Sequence, residues 1–163
     1  MNTGPIRFNR TDRVFTLTAE IWLPRSRPDV FSFFADAGNL EALTPPWLRF
    51  EILTPPPIQM AVGALIDYRL RVHGWPVRWQ TQITAWEPPV RFVDEQLRGP
   101  YRLWCHEHTF AEADGGTLVR DVVRYRMLGG ALVNAWFVRP DLTKIFAYRQ
   151  KKLAERFQTG PQR

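Results

Sequence analysis

The chain contains one cysteine and three histidines in 163 residues, and only three of its 22 cationic side chains are lysine. The single thiol, Cys105, excludes an internal disulfide and suits a reducing compartment. No run of about 18 apolar residues occurs, so neither a helical span nor stable membrane insertion is expected. The opening M-N-T-G-P-I-R-F-N-R lacks the apolar stretch of a secretory signal, and the expected location is the cytoplasm. No nucleic-acid recognition motif accompanies the net charge of +6. The arginines stand singly on alternate positions (Arg69, Arg71, Arg78, Arg91, Arg102, Arg120, Arg124, Arg126), the pattern of a solvated outer sheet face. A nucleic-acid partner is therefore not expected.

What is present is a globular composition, 45% hydrophobic and 13% aromatic. The length suits one domain over residues 1–163, with a structured core from about 12 to 158. Val14 to Leu23 alternates Phe15, Leu17, Ala19 and Ile21 against polar partners and predicts a first strand. Pro24 ends it. Ser26, Pro28 and Asp29 then give a helix start, with Val30, Phe33, Phe34 and Ala37 on one face. Asn39 is a candidate cap for a second short helix ending at Pro45. Strands follow at Leu48–Leu53, Ala64–Val72, Val77–Ala85, Val90–Leu97, Arg102–Phe110 and Thr117–Met127. Asp114-Gly115-Gly116 marks a hairpin turn. Ala131–Val138 reads as a short helix or as the first turns of a longer one. Leu142, Ile145, Phe146, Arg149, Leu153 and Phe157 give the tail a helical stripe. The simplest packing is an α+β fold, a six- or seven-stranded antiparallel sheet gripping one C-terminal helix.

Within that order, several segments resemble a known family. They are P-R-S-R-P-D-V-F-S-F-F-A-D-A-G-N-L at Pro24–Leu40, T-P-P-W-L at Thr44–Leu48, W-E-P-P-x-R-F-V-D-E-Q from Trp86 and G-P-Y-x-x-W-x-H-x-H-x-F from Gly99. Together they resemble the helix-grip, START-like superfamily of the birch-pollen allergen. More narrowly, they resemble the bacterial SRPBCC proteins labelled polyketide cyclase/dehydrase-like. The resemblance implies a hydrophobic cavity between sheet and long helix that holds a lipid, polyketide or similar small apolar ligand. It carries over no catalytic residue, because the fold hosts binding, transport and catalysis alike.

R-L-W-C-H-E-H-T-F at Arg102–Phe110 is the most informative stretch. Period two puts Trp104, His106, His108 and Phe110 on one face, and Leu103, Cys105, Glu107 and Thr109 on the other. Two indole or phenyl rings alternating with two imidazoles suit a half-polar cavity wall, so that face is taken as inward. Cys105 then faces away, which argues against nucleophilic catalysis. The Asp114 turn pairs this strand with the one carrying Asp121 and Tyr125, and Phe92, Asp94 and Gln96 form the inward set of the preceding strand. Val93 and Leu97 leave the opposite register open for that strand.

Asp94, Gln96, His106, His108, Asp121 and Tyr125 are thereby gathered on one wall. Buried charges of this kind should pair, imidazole with carboxylate. The same pairs give candidate general acid/base groups in His106, His108 and Asp121. H-x-H on a strand is also a metal-site pattern, but two neighbouring histidines with carboxylates of unfixed direction do not suffice. Neither metal nor cofactor is expected. Phe33, Phe34, Trp47, Tyr68, Trp79, Phe92, Trp104, Phe110 and Phe146 complete the expected ligand-binding set, with Trp47 at the rim. His73, in a turn, is expected to be simply exposed. The leading expectation is a binding protein for a small hydrophobic or amphipathic molecule. The alternative is a polyketide cyclase or dehydratase-like enzyme working by acid/base chemistry. A third reading is an adaptor that docks on a partner or membrane through its basic surface, and the protein partner is left unknown.

Overall fold

Strand β2 (Val14–Leu23) shows how the sheet is built, because its burial alternates strictly along all ten residues. Phe15, Leu17, Ala19, Ile21 and Leu23 face inward and are buried, while Thr16, Thr18, Glu20 and Trp22 lie on the wetter side. The computed structural model describes residues 3–158. Around β2 it places β1 (Arg7–Thr11), β3 (Glu51–Ile52), β4 (Leu65–Val72), β5 (Trp75–Glu87), β6 (Arg91–Arg98), β7 (Leu103–Ala113) and β8 (Gly116–Arg126). All eight form one antiparallel sheet in the order β1-β2-β8-β7-β6-β5-β4-β3.

Eight strands replace the six or seven expected. β1 pairs with β2 across a tight turn in which Asp12 takes a left-handed φ of 56°, so ordered structure begins before residue 12. The strand expected at Leu48–Leu53 shrinks to the two residues of β3. Pro46–Leu48 is instead a 3₁₀ turn, and Arg49 behind it is left-handed, which delays the extended backbone. Along the 13-residue β5 the pairing with β6 shifts register twice, between Gln80 and Thr81 and between Ile83 and Ala85. Such bulges bend a strand and help a sheet to curl.

Helix α1 (Arg27–Ala35) starts as its sequence dictates: the Asp29 amide donates to Ser26 Oγ at 3.4 Å, and Pro28 occupies the first turn. A cap of this type contributes about 1 kcal/mol. Its buried face is Val30, Phe31 and Phe34, with Phe33 half-buried. Phe31 is the packing centre, 5.2 Å from Phe110 and 5.3 Å from Trp86. Asn39 is not the cap of α2 (Asn39–Ala42) but its first residue; Gly38 precedes it, and the Asn39 side-chain amide donates back to the Phe33 carbonyl at 2.9 Å.

The tail is one continuous helical rod. A turn of α3 (Gly130–Val133) passes through a π-type turn at Asn134–Val138 into α4 (Arg139–Gln158). The wide turn brings Asn134 inward, where its Oδ1 accepts from the Tyr125 hydroxyl at 2.9 Å. Leu142, Phe146, Leu153 and Phe157 are buried on the sheet side of α4. Gln150 ties the helix to β2 by donating to the Glu20 carbonyl at 2.9 Å. Among the described residues, no helix is long and apolar enough to cross a membrane.

Two cores hold α4 down. Near its C-terminal end, Leu153 and Phe157 join Phe31, Phe34, Phe92, Phe110 and Val119. Near its N-terminal end, Leu142 and Phe146 join Phe15, Leu17, Val123 and Tyr125.

Candidate functional site

Beyond β8 the helix and the sheet diverge, and a cavity of about 1080 Å³ opens between them. Its walls come from β4, β5, β6, β7, the short helices and the inner face of the α3–α4 rod; β1, β2 and β8 contribute no lining residue. The inward residues of β4 (Ile66, Tyr68, Leu70, Val72) and of β5 (Val77, Trp79, Thr81, Ile83) all face it. This is the period-two alternation converted into a wall.

The aromatic part of the wall is internally braced. Trp79 meets Trp104 edge-to-face at 5.2 Å and stacks on Tyr68 at 5.9 Å, while Tyr101 lies 4.7 Å from Trp104. Thr81 serves the polar ends: its Oγ1 accepts from the Trp79 indole N–H at 3.1 Å and lies 3.1 Å from the Tyr68 hydroxyl. Burial pushes the Tyr68 phenol far above its ordinary range, so it stays neutral. At the rim, Trp47 is 55% exposed and packs edge-on to Tyr148, while Trp75 and Phe137 are also largely exposed. His73 is exposed but not free: its Nε2 lies 2.7 Å from Asp141 Oδ2, which links the β4–β5 turn to α4 at the rim.

Deeper in the wall sits a polar cluster. His106 and His108 share a face, as the i, i+2 spacing on a strand requires, and their rings lean together to a centroid separation of 3.7 Å. Asp121 on β8 stands behind both. Its Oδ1 is 3.0 Å from His106 Nε2 and 2.7 Å from His108 Nδ1, the latter off the line of a good hydrogen bond. Asp121 Oδ2 accepts from Arg149 Nε at 3.2 Å. On the other side, Asp94 Oδ2 is 2.9 Å from His108 Nε2 and 3.8 Å from His106 Nδ1. Phe92 stacks on His108 at 4.2 Å and Arg149 lies over Phe34 at 5.1 Å, so apolar rings seal the cluster.

Burial alone would strip both imidazoles of their extra proton. For His108 the two adjacent carboxylates, Asp121 and Asp94, outweigh burial, and its proton affinity is raised. For His106 burial prevails, aided by the His108 charge, and its pKa is lowered. Burial also opposes ionisation of Asp121, but Arg149 and the two imidazoles hold it well below the usual carboxylate range. Asp94 is held low in the same way, with the His108 bond first in overcoming burial. These opposite directions favour His108 over His106 as the imidazole that carries a proton, between two carboxylates and one guanidinium.

Most of the expected binding residues line the cavity: Phe33, Phe34, Trp47, Tyr68, Trp79, Phe92, Asp94, Trp104, His106, His108 and Phe146. Four do not. Phe110 is buried in the α1 core, Tyr125 is held under the π turn, and Asp121 lies behind the histidines. Gln96, the fourth, clamps the Gly99 turn through both the amide and the carbonyl of Tyr101. The register of β6 is settled with Phe92 and Asp94 inward, although Val93 is buried on the outer side as well. Cys105 faces outward, where an Arg124 guanidinium lies 3.4 Å from its sulfur. Arg149, which bonds Asp121 and lines the cavity, was not among the expected site residues. The signal was a cation inside the apolar stripe of α4, between Phe146 and Leu153.

The profile of the family described as polyketide cyclase / dehydrase and lipid transport matches residues 23–150. The chain belongs to this family. No curated protein sequence matches it. Among solved structures, protein Ms6760 from Mycobacterium smegmatis superposes with a TM-score of 0.71 at 16% identity, covering 96% of this chain and 98% of that one. TTHA0849 from Thermus thermophilus gives 0.70 at 18% identity, over 88% and 97% of the two chains. Ara h 8.0201 gives 0.64 at 15% identity, over 90% and 99%. At these identities the likeness establishes the helix-grip fold of this polyketide cyclase/dehydrase and lipid transport family member.

Proposed function

We propose that the protein binds one small hydrophobic or amphipathic molecule, a lipid, polyketide or similar compound, between the β4–β7 wall and α4. The observation that carries this reading is the cavity itself: about 1080 Å³ of space beside a fully formed core. Protein interiors are otherwise packed to crystal density, and ligand pockets occupy roughly 300–1,000 Å³. The lining matches such a ligand. Aliphatic and aromatic side chains from β4 and β5 would hold the apolar body, and the Asp94–His106–His108 cluster would meet a polar group. The family description, which names both polyketide chemistry and lipid transport, supports the same class.

Native mass spectrometry of gently purified protein, paired with quenching of Trp79 and Trp104 fluorescence by a panel of fatty acids and aromatic polyketides, tests the reading. One bound molecule per chain and saturable quenching are expected. An unliganded mass together with no quenching across the panel would end it.

A second reading, a cyclase or dehydratase, is favoured by one observation: Asp94, His106 and His108, the titratable side chains of the cluster, all line the cavity. It predicts that His106→Gln abolishes turnover of a bound polyketide while affinity changes less than about threefold. Equal loss of both would mean that the cluster only braces the wall.

A further inference from the structure

The cluster at the base of the wall has a feature that ligand binding alone does not require. Asp121 takes the rear nitrogen of each imidazole, His106 Nε2 and His108 Nδ1, on one and the same oxygen. That leaves His106 Nδ1 and His108 Nε2 as the two nitrogens turned toward Asp94 Oδ2, at 3.8 and 2.9 Å. Three electron-pair donors therefore meet at one point of the cavity wall. A single proton can sit on the short edge between His108 and Asp94, but it cannot also serve the longer edge to His106. A cation with more than one bond to give can serve all three.

We propose that Asp94, His106 and His108 form a binding site for one divalent first-row metal ion, with Asp121 and Arg149 as its supporting shell. One donor atom from each residue lies within 4.8 Å of the others. Tetrahedral coordination at zinc–nitrogen bond lengths puts ligand atoms about 3.4 Å apart, between the two measured edges. Imidazole and carboxylate are ligands that zinc and its neighbours accept. The rear bond of His106 to Asp121 at 3.0 Å follows the rule that a metal-bound histidine gives its other ring N–H to a carboxylate; His108 Nδ1 lies 2.7 Å from the same oxygen without the alignment of a hydrogen bond. Arg149 in turn fixes that carboxylate at 3.2 Å.

Charge then points to the fourth ligand. With both imidazoles neutral, as ligation requires, two carboxylates against one guanidinium leave one negative charge in excess, and a divalent ion turns this into one positive charge. The open position faces the cavity, so it suits an anionic oxygen: the carboxylate, enolate or phenolate head of an amphipathic ligand. This last step rests on the cavity-binding reading; the metal site itself does not.

The test is a calorimetric titration of chelator-treated, delipidated full-length protein with Zn²⁺, repeated with Co²⁺ and followed by its visible absorption. One ion per chain is expected, with the Co²⁺ bands of a four-coordinate nitrogen/oxygen site. Asp94→Asn and His106→Gln should each lower affinity at least tenfold, and Asp121→Asn by about 10–100-fold. His73→Ala and Cys105→Ser should leave it unchanged. Absence of saturable one-to-one binding overturns the proposal, as does binding that survives Asp94→Asn or disappears in His73→Ala. Should the cluster variants fail to fold, ¹⁵N spectra of the wild-type imidazoles decide: Zn²⁺ must shift the ring nitrogens of His106 and His108, and unshifted signals refute the site. The readouts use no apolar ligand, so a failed metal titration leaves the binding cavity standing. An empty cavity likewise leaves the metal result intact.

Discussion

The two halves of the sheet are made from the same alternating sequence and come to opposite ends. In β2 and β8 every inward residue is covered: Leu17, Leu23, Val123 and Tyr125 have no exposed surface. In β4 to β7 most of the inward residues, though not Phe110, line the cavity, and the most bulky of them, Trp79 and Trp104, lean on each other. The difference arises because one helix covers only part of a wide curled sheet. α4 settles on β2 and β8, where Leu142, Phe146 and Leu153 pack among their inward side chains. The other half, carrying tryptophan and tyrosine, props itself open. The His106–His108–Asp121 cluster lies on the border, rooted in the closed half by Asp121 and Arg149 and reaching the open half through Asp94.

Breaking the border should have the largest effect. Asp121→Ala removes the partner of two imidazoles and a buried guanidinium, and should cost about 3–5 kcal/mol in urea denaturation. Asp121→Leu combined with Arg149→Met should recover much of this loss, because the uncompensated charges leave together. The same carboxylate makes the chelator-treated protein acid-labile. Its folded pKa lies well below the unfolded value. Its contribution is therefore complete above about pH 4 and is lost as the pH falls through the folded value. Thermal melts of wild type and Asp121→Asn from neutral to acid pH should converge at the acid end.

Truncation comes next. Leu17→Ala in the closed half should destabilise by roughly 2–5 kcal/mol, through lost burial plus the cavity left behind. Leu70→Ala in the open half should cost clearly less, since its neighbour is already empty space. Enlargement gives a smaller contrast. Val123→Phe should cost about 1–3 kcal/mol by overpacking, whereas Val77→Phe should cost under about 1 kcal/mol and shrink the volume open to ligand. The smallest effect belongs to the outer face: Arg78→Ala or Arg126→Ala should move stability by no more than about 0.5 kcal/mol. Equal costs for the paired substitutions in the two halves would abolish the distinction between them.

These halves differ in how far their sequences could be read. The alternation in β7 announced that Trp104, His106 and His108 share a face, and pairing across the Asp114 turn brought Asp121 to them. What alternation does not carry is depth. Asp121 and Tyr125 share the inward face of β8, yet both lie under α4 rather than at the cavity, because only packing decides where the helix settles. β1 escaped notice since R-F-N-R-T is an exposed hairpin edge with one apolar residue and no core to mark it. The π turn at Asn134–Val138 goes with the hydrogen bond that the Tyr125 hydroxyl donates to Asn134 Oδ1, a contact made by the folded chain rather than by local propensity. Arg149 fell on the apolar stripe of α4 with no partner in view, and the Asp121 carboxylate opposite explains it.

The central claim is that the open half is open for a ligand, and competitive binding of a fluorescent fatty acid measures it most directly. Wild-type protein should take up one probe per chain, and Val77→Trp combined with Leu70→Phe should reduce that uptake at least tenfold while melting within a few degrees of wild type. Unchanged uptake by the filled variant, or none by wild type, would contradict the account.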